Sequence, residues 1–204
     1  MANKSPVFPL FLFPNIQYLR ELAQYPKVYI ETMETYPKQT FRNRFLIYSE
    51  SGPMDIIIPI QKQDRDNRRL NNAIISYKDS WNRRAYRAIV AAYSNSPYFE
   101  YFWDEVSRFF LSEYQYLAEL NLEVLTYILK RWEIGTEIET TKEYKPSQYY
   151  SKDYREGFLP RNQRDFQHKE YFQCFNPRHG FINNLSCLDL LFNEGRYGRN
   201  FIFD

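Results

Sequence analysis

Ser186, Asp189 and Asn193 stand in "RHGFINNLSCLDLLFNEG" (178–195) at the three- and four-residue intervals that place side chains on one line of an α-helix. Leu185, Leu188, Leu190, Leu191 and Phe192 flank that line. A surface helix would show a broad polar face, so the spacing predicts a short, nearly buried helix with a thin hydrophilic seam. An unpartnered buried polar group costs about 1–3 kcal/mol. The seam must therefore bond to neighbouring backbone or an arginine, or line a ligand pocket. Asp189 needs a cation beside it or must hold a proton, and the expected partner is an arginine.

A second group of residues suits anion binding. If "TFRNRFLI" (40–47) is extended, Arg42 and Arg44 share one face about 7 Å apart, with Lys38 a candidate to extend the pair, while Asn43 faces the other way. Two guanidinium forks side by side match a carboxylate or phosphate. The plainer alternatives are a solvent-facing strand edge or ion pairs with Glu31 and Glu34. His179, just before Gly180 and the seam, could meet an anion at the helix N-terminus or simply bond backbone in a turn. The most economical constellation sets Lys38, Arg42, Asn43 and Arg44 opposite Asn184, Ser186 and Asn193 as binding residues. Asp189 and His179 are then the candidates for proton transfer.

Other chemistries find little support. His168, His179, Cys174 and Cys187 match no compact metal-ligand spacing, and neither GxGxxG nor a P-loop is present. No metal or cofactor is expected. The two cysteines, without CxxC spacing, read as reduced thiols.

The elements that must position these residues follow from periodicity. "VFPLFLF" reads as a buried strand, "PNIQYLRELAQYP" as a helix with Ile16, Leu19, Leu22 and Ala23 on one face, and "KVYIET" as a second strand. This β-loop-α-β opening favours parallel strands with a ligand edge at their carboxyl ends. "FRNRFLIYSESGPMDIIIPI" reads as an antiparallel hairpin around "SESGP". Residues 61–72 read as a solvated loop or lid. A helical region spans about 79–134, capped by Asp79 or Ser80, broken at Pro97 and ended by Gly135. "TEIETTKEY" suggests a further strand. Residues 142–172 carry Tyr149, Tyr150, Tyr154 and Phe158, and are expected to wrap over the body as an ordered aromatic loop. The fold class is thus α/β: a Rossmann-like β-α-β opening, a hairpin, a central helical region and a C-terminal loop with a short helix. One domain over 1–204 is expected.

The 27 basic and 25 acidic residues are interspersed, which argues against a nucleic-acid face. The 19 tyrosines and 17 phenylalanines suit contact with sugars or bases, although codon bias gives the same composition. Prolines interrupt the apolar N-terminal run and no stretch reaches a membrane span, so a cytoplasmic protein without a signal peptide is expected.

"YPKQTFRNR" (36–44), "PI" (59–60), "SWNRRAYRAIVAAYSNSPYFEYF" (80–102) and "HGFINNLSCLDLLFNEG" (179–195) occur in an order that resembles the WbqC-like family over roughly residues 13–195. The matching positions are Lys38, Arg42, Asn43, Arg44, Trp81, Ser96, Pro97, Tyr98, His179, Gly180, Asn184, Ser186, Asp189, Asn193 and Glu194. The resemblance implies a bacterial protein of surface-polysaccharide (O-antigen type) biosynthesis. The chain departs from the family at "FLFPN", where a Gln-Pro is common, and at "NRRAYR", where a His is common. The opening strand, loop and helix also resemble the entry of Rossmann-like nucleotidyltransferases, an analogy of fold alone. Two readings follow: a transferase-like protein binding an anionic small molecule such as a nucleotide sugar or acyl donor, or a non-enzymatic binding or scaffold protein using its aromatic loop.

Overall fold

The computed structural model of the protein describes residues 5–37, 39–62, 68–158 and 166–203. Lys38 and part of the 61–72 loop lie outside them. Strand β1 (Val7–Pro9) leads through a buried loop into helix α1 (Ile16–Ala23), and strand β2 (Lys27–Glu31) follows. The Asn15 side chain accepts the Tyr18 N–H at 2.9 Å, which satisfies one of the free donors at the start of α1. Ile16, Leu19 and Leu22 go inward as their spacing requires, with Tyr18 beside them.

β2 runs parallel to both β1 and β5 (Glu137–Thr140), in the order β1-β2-β5. The backbone around Asp153 pairs beside β1: Val7 N–H donates to Lys152 O, and Tyr154 N–H donates to Val7 O. The expected parallel opening is present, and of the further strand suggested by "TEIETTKEY" only Glu137–Thr140 is extended and paired. The carboxyl ends of these segments deliver Glu31, Thr141 and Arg155 to one edge.

The hairpin consists of β3 (Arg44–Ser49) and β4 (Gly52–Ile57), antiparallel, with Leu46 opposite Asp55. It starts later than the alternation suggested. Residues 41–43 form a turn, because Phe41 O turns to accept the Leu12 N–H at 3.0 Å. Arg42 therefore leaves the strand face that Arg44 occupies.

Three helices fill the middle of the chain: α2 (Trp81–Tyr93), α3 (Phe99–Leu111) and α4 (Leu117–Arg131). Ser80 precedes α2 with φ +47 and makes no capping bond with its side chain. The reversal after α4 occurs at Glu133, with φ +49, two residues before the expected Gly135. No helix among the described residues is long and apolar enough to cross a membrane.

The chain closes with α5 (Asn176–His179), α6 (Cys187–Glu194) and α7 (Gly198–Phe203). The hydrophobic core is one cluster that runs from Phe8 to Ile202. Within the aromatic loop, Tyr154 stacks on Phe8 with ring centres 4.3 Å apart, and Tyr150, Tyr154 and Phe158 are buried. That much of the loop wraps the body as expected.

Gly195 ends α6 at φ +58, and its carbonyl accepts the Trp132 Nε1–H at 2.9 Å. A Cβ there would lie 2.6 Å from the Tyr98 ring, in a backbone region that side chains rarely adopt. Gly195→Ala should destabilise the fold by about 1–3 kcal/mol, read from the midpoint shift in urea unfolding.

Candidate active site

Two polar centres are built into this core, and they are separate. The first lies at the carboxyl edge of the parallel strands, where ligands of open α/β sheets bind. A cleft of about 1230 Å³ opens there, lined by residues that include Glu34, Arg42, Arg69, Tyr144, Asp153 and Arg155. Its wall is a buried ion network. Arg42 grips Glu34 with both arms, Nε to Oε1 at 2.6 Å and Nη2 to Oε2 at 2.8 Å, and donates to Arg155 O at 3.2 Å. Arg155 Nη1 donates to Glu31 Oε2 at 3.1 Å and to Lys145 O at 2.9 Å, while Nε and Nη2 hold Asp153. The Thr141 hydroxyl and the Met33 N–H complete Glu31 at 2.7 and 2.8 Å.

Local chain paths explain the convergence. Residues 68–71 run beside 32–36: Tyr36 N–H donates to Arg68 O, Leu70 N–H to Glu34 O, and Asn71 N–H to Thr32 O. This lays Arg69 at the rim. Asn121 of α4 donates to Arg42 O at 2.7 Å and fixes the turn before the hairpin. Burial pushes the Glu34 carboxyl above its usual range, against the pull of Arg42. Asp153 is held down to about 2: the bonds from Arg155 and Ser147 outweigh its burial.

The second centre is Asp189, fully buried on α6. The expected arginine is not there: among the described residues no cation bonds this carboxylate. Oδ2 instead accepts Tyr171 Oη at 2.6 Å and Gln173 Nε2 at 3.0 Å. The Tyr93 hydroxyl, which accepts the Tyr48 N–H at 3.0 Å, lies near enough to draw the carboxyl down without reaching hydrogen-bond geometry on Oδ1. Burial prevails and raises the Asp189 carboxyl to about 6. Partial protonation, the other route open to a buried carboxylate, takes the place of the ion pair.

Elsewhere in the seam, Asn193 Nδ2 donates to Asp189 O at 2.8 Å, and the Ser186 N–H donates to Leu46 O while the buried Ser186 hydroxyl bonds none of the described residues. Asn184, at φ +56, accepts the Gln17 N–H of α1 at 2.9 Å. Asn43 Nδ2 donates to Ile58 O at 2.8 Å, and Arg44 pairs across the hairpin with Asp55 at 3.6 Å. His179 is exposed, with Nε2 at 2.8 Å from Glu50 O. Of the described residues singled out from sequence as site candidates, Arg42 alone lines the cleft. Its pairing with Glu34 is one of the plainer alternatives to anion binding that the sequence allows. Arg155, Asp153 and Tyr144 carried no sequence signal, since an aperiodic loop delivers them.

A protein-family model described as the WbqC-like protein family matches residues 10–155. Comparison with curated proteins found no match, and comparison with solved structures found none. The match contains every cleft-lining residue except Glu156 and Gly157, and ends before Tyr171, Gln173 and Asp189.

Breaking a buried pair leaves an uncompensated charge, so Arg42→Met should cost about 3–5 kcal/mol in urea unfolding, and the double variant Arg42→Met/Glu34→Met should recover most of it. Asp189 has a native pKa above its unfolded value of 3.8. Its favourable contribution is complete below pH 4 and is lost as pH rises through about 6. At about 1.4 kcal/mol per tenfold change this amounts to roughly 3 kcal/mol. Asp189→Asn should remove that slope from stability measured between pH 4 and 7.

Proposed function

Since the chain belongs to the WbqC-like protein family, we propose that it is a transferase-like protein of cell-surface polysaccharide (O-antigen type) biosynthesis, whose small-molecule site is the mixed-charge cleft. Its ligand carries an anionic group, as a nucleotide sugar or an acyl donor does. The observation that supports this is the placement of Arg42, Glu34 and Arg155, all buried, in the wall of an open cleft at the carboxyl edge of parallel strands, with Glu31 buried behind Arg155. Buried ion pairs add little to stability over apolar packing, and charged groups with displaced pKa in a cleft mark functional sites.

The roles differ from those read off the sequence. Both arms of Arg42 that hold Glu34 are committed, so the two residues supply a fixed, ion-paired wall. Arg69 at the rim is the residue assigned to meet the anion. Glu34, whose carboxyl burial pushes up, is the proton acceptor assigned to the cleft. A scaffold role through the aromatic loop has less to build on: Tyr150, Tyr154 and Phe158 turn inward, Tyr144, Tyr149 and Phe172 are exposed, and an open cleft stands beside them.

Thermal unfolding with UDP-linked sugars, nucleoside diphosphates or acetyl-CoA at millimolar concentration tests the reading. At least one of these should raise Tm, by the mass action of binding to the native state. Arg69→Ala should reduce that rise, measured relative to the ligand-free Tm of the same variant. If none of these compounds raises Tm, the reading is overturned.

A further inference from the structure

Tyr144 is an anomaly within the cleft. Its side chain lines the wall and is nevertheless 58% exposed, among the most exposed large aromatics of the protein. The ring is not loose. The Arg155 guanidinium lies against it with its carbon 4.4 Å from the ring centre, well inside cation–π range. Arg155 itself cannot move: its side chain is 5% exposed and is tied to Asp153, Glu31 and the Lys145 carbonyl. One part of the ring therefore rests on an immobile buried cation while the remainder faces the open cleft.

We propose that Tyr144 is a stacking platform for a nucleobase, so that the ligand of the cleft is a nucleotide. This rests on the reading of the cleft as the small-molecule site and narrows the class of ligand. Base–aromatic stacking accepts any planar base, and a pre-ordered ring loses little freedom when the base arrives. The rest of the lining fits the remainder of such a ligand. Thr35 offers a side chain suited to a ribose hydroxyl, and Arg69 at the rim offers positive charge suited to phosphates. The volume of about 1230 Å³ exceeds the roughly 300–1,000 Å³ of ordinary small-ligand pockets, more than a single sugar ring requires.

Isothermal titration of the full chain with UDP, ADP, ribose 5-phosphate and pyrophosphate tests the proposal. UDP or ADP should bind more tightly than ribose 5-phosphate. Tyr144→Ala should weaken the nucleotide by roughly 5- to 150-fold, the range that base–aromatic stacking supports, and leave ribose 5-phosphate unchanged. Tyr144→Phe, which keeps the ring, should bind like the wild type. The exposed position makes folding of both variants checkable by an unchanged Tm. If ribose 5-phosphate binds as tightly as the nucleotides, or Tyr144→Ala leaves nucleotide affinity intact, the platform is overturned while the cleft remains a ligand site. If none of the four probes binds, both the platform and the anion-binding role of the cleft fall.

Discussion

The two-armed bond between Arg42 and Glu34 is the constraint on which the cleft depends. Both groups are out of water, and a buried charge without its partner is not tolerated. That demand fixes the chain on either side. Glu34 lies just past the end of β2, and Arg42 sits in the turn that opens the hairpin, so the pair sets the hairpin against the parallel sheet. The same guanidinium reaches Arg155 O, and the carbonyl of Arg42 receives Asn121 from α4. Sheet, hairpin, central helices and aromatic loop thus meet at one charged group.

Arg155 extends that logic across the carboxyl edge. It stands just beyond the segment that pairs with β1, and its three nitrogens answer Glu31, Asp153 and Lys145 O. An arginine with every arm engaged is a poor mobile anion clamp and a good rigid wall. Rigidity is what the ring of Tyr144 acquires from it.

Asp189 follows a different principle. Its Oδ2 is held by two neutral donors, Tyr171 and Gln173, from the irregular segment that leads to α5, while Oδ1 stays without a hydrogen bond. Gln173 also holds Ile182 through its N–H and its carbonyl. The carboxylate therefore works as a hub that fastens 171–183 to the core, at the cost of a pKa raised by burial. The two polar centres are thus the wall of the open cleft and an internal clamp.

The sequence by itself determined the α/β class, the parallel opening, the hairpin, the three central helices and the buried seam of α6. Each rests on a short-range period: Ile16, Leu19 and Leu22 on one face of α1, or Ser186, Asp189 and Asn193 on one line. Family membership was legible too, in the order of motifs such as "YPKQTFRNR". The partners of the polar residues were not legible, because the separation along the chain carries no record of contact in space. Arg155 meets Glu31 across 124 positions, and Asn184 meets Gln17 across 167. Only the tertiary structure decided that Arg42 would leave the hairpin face for Glu34, and that tyrosines would take the place of an arginine at Asp189. The reason is that desolvated charges and donors select partners by what the packed core brings within about 3 Å, a distance set by all the elements together.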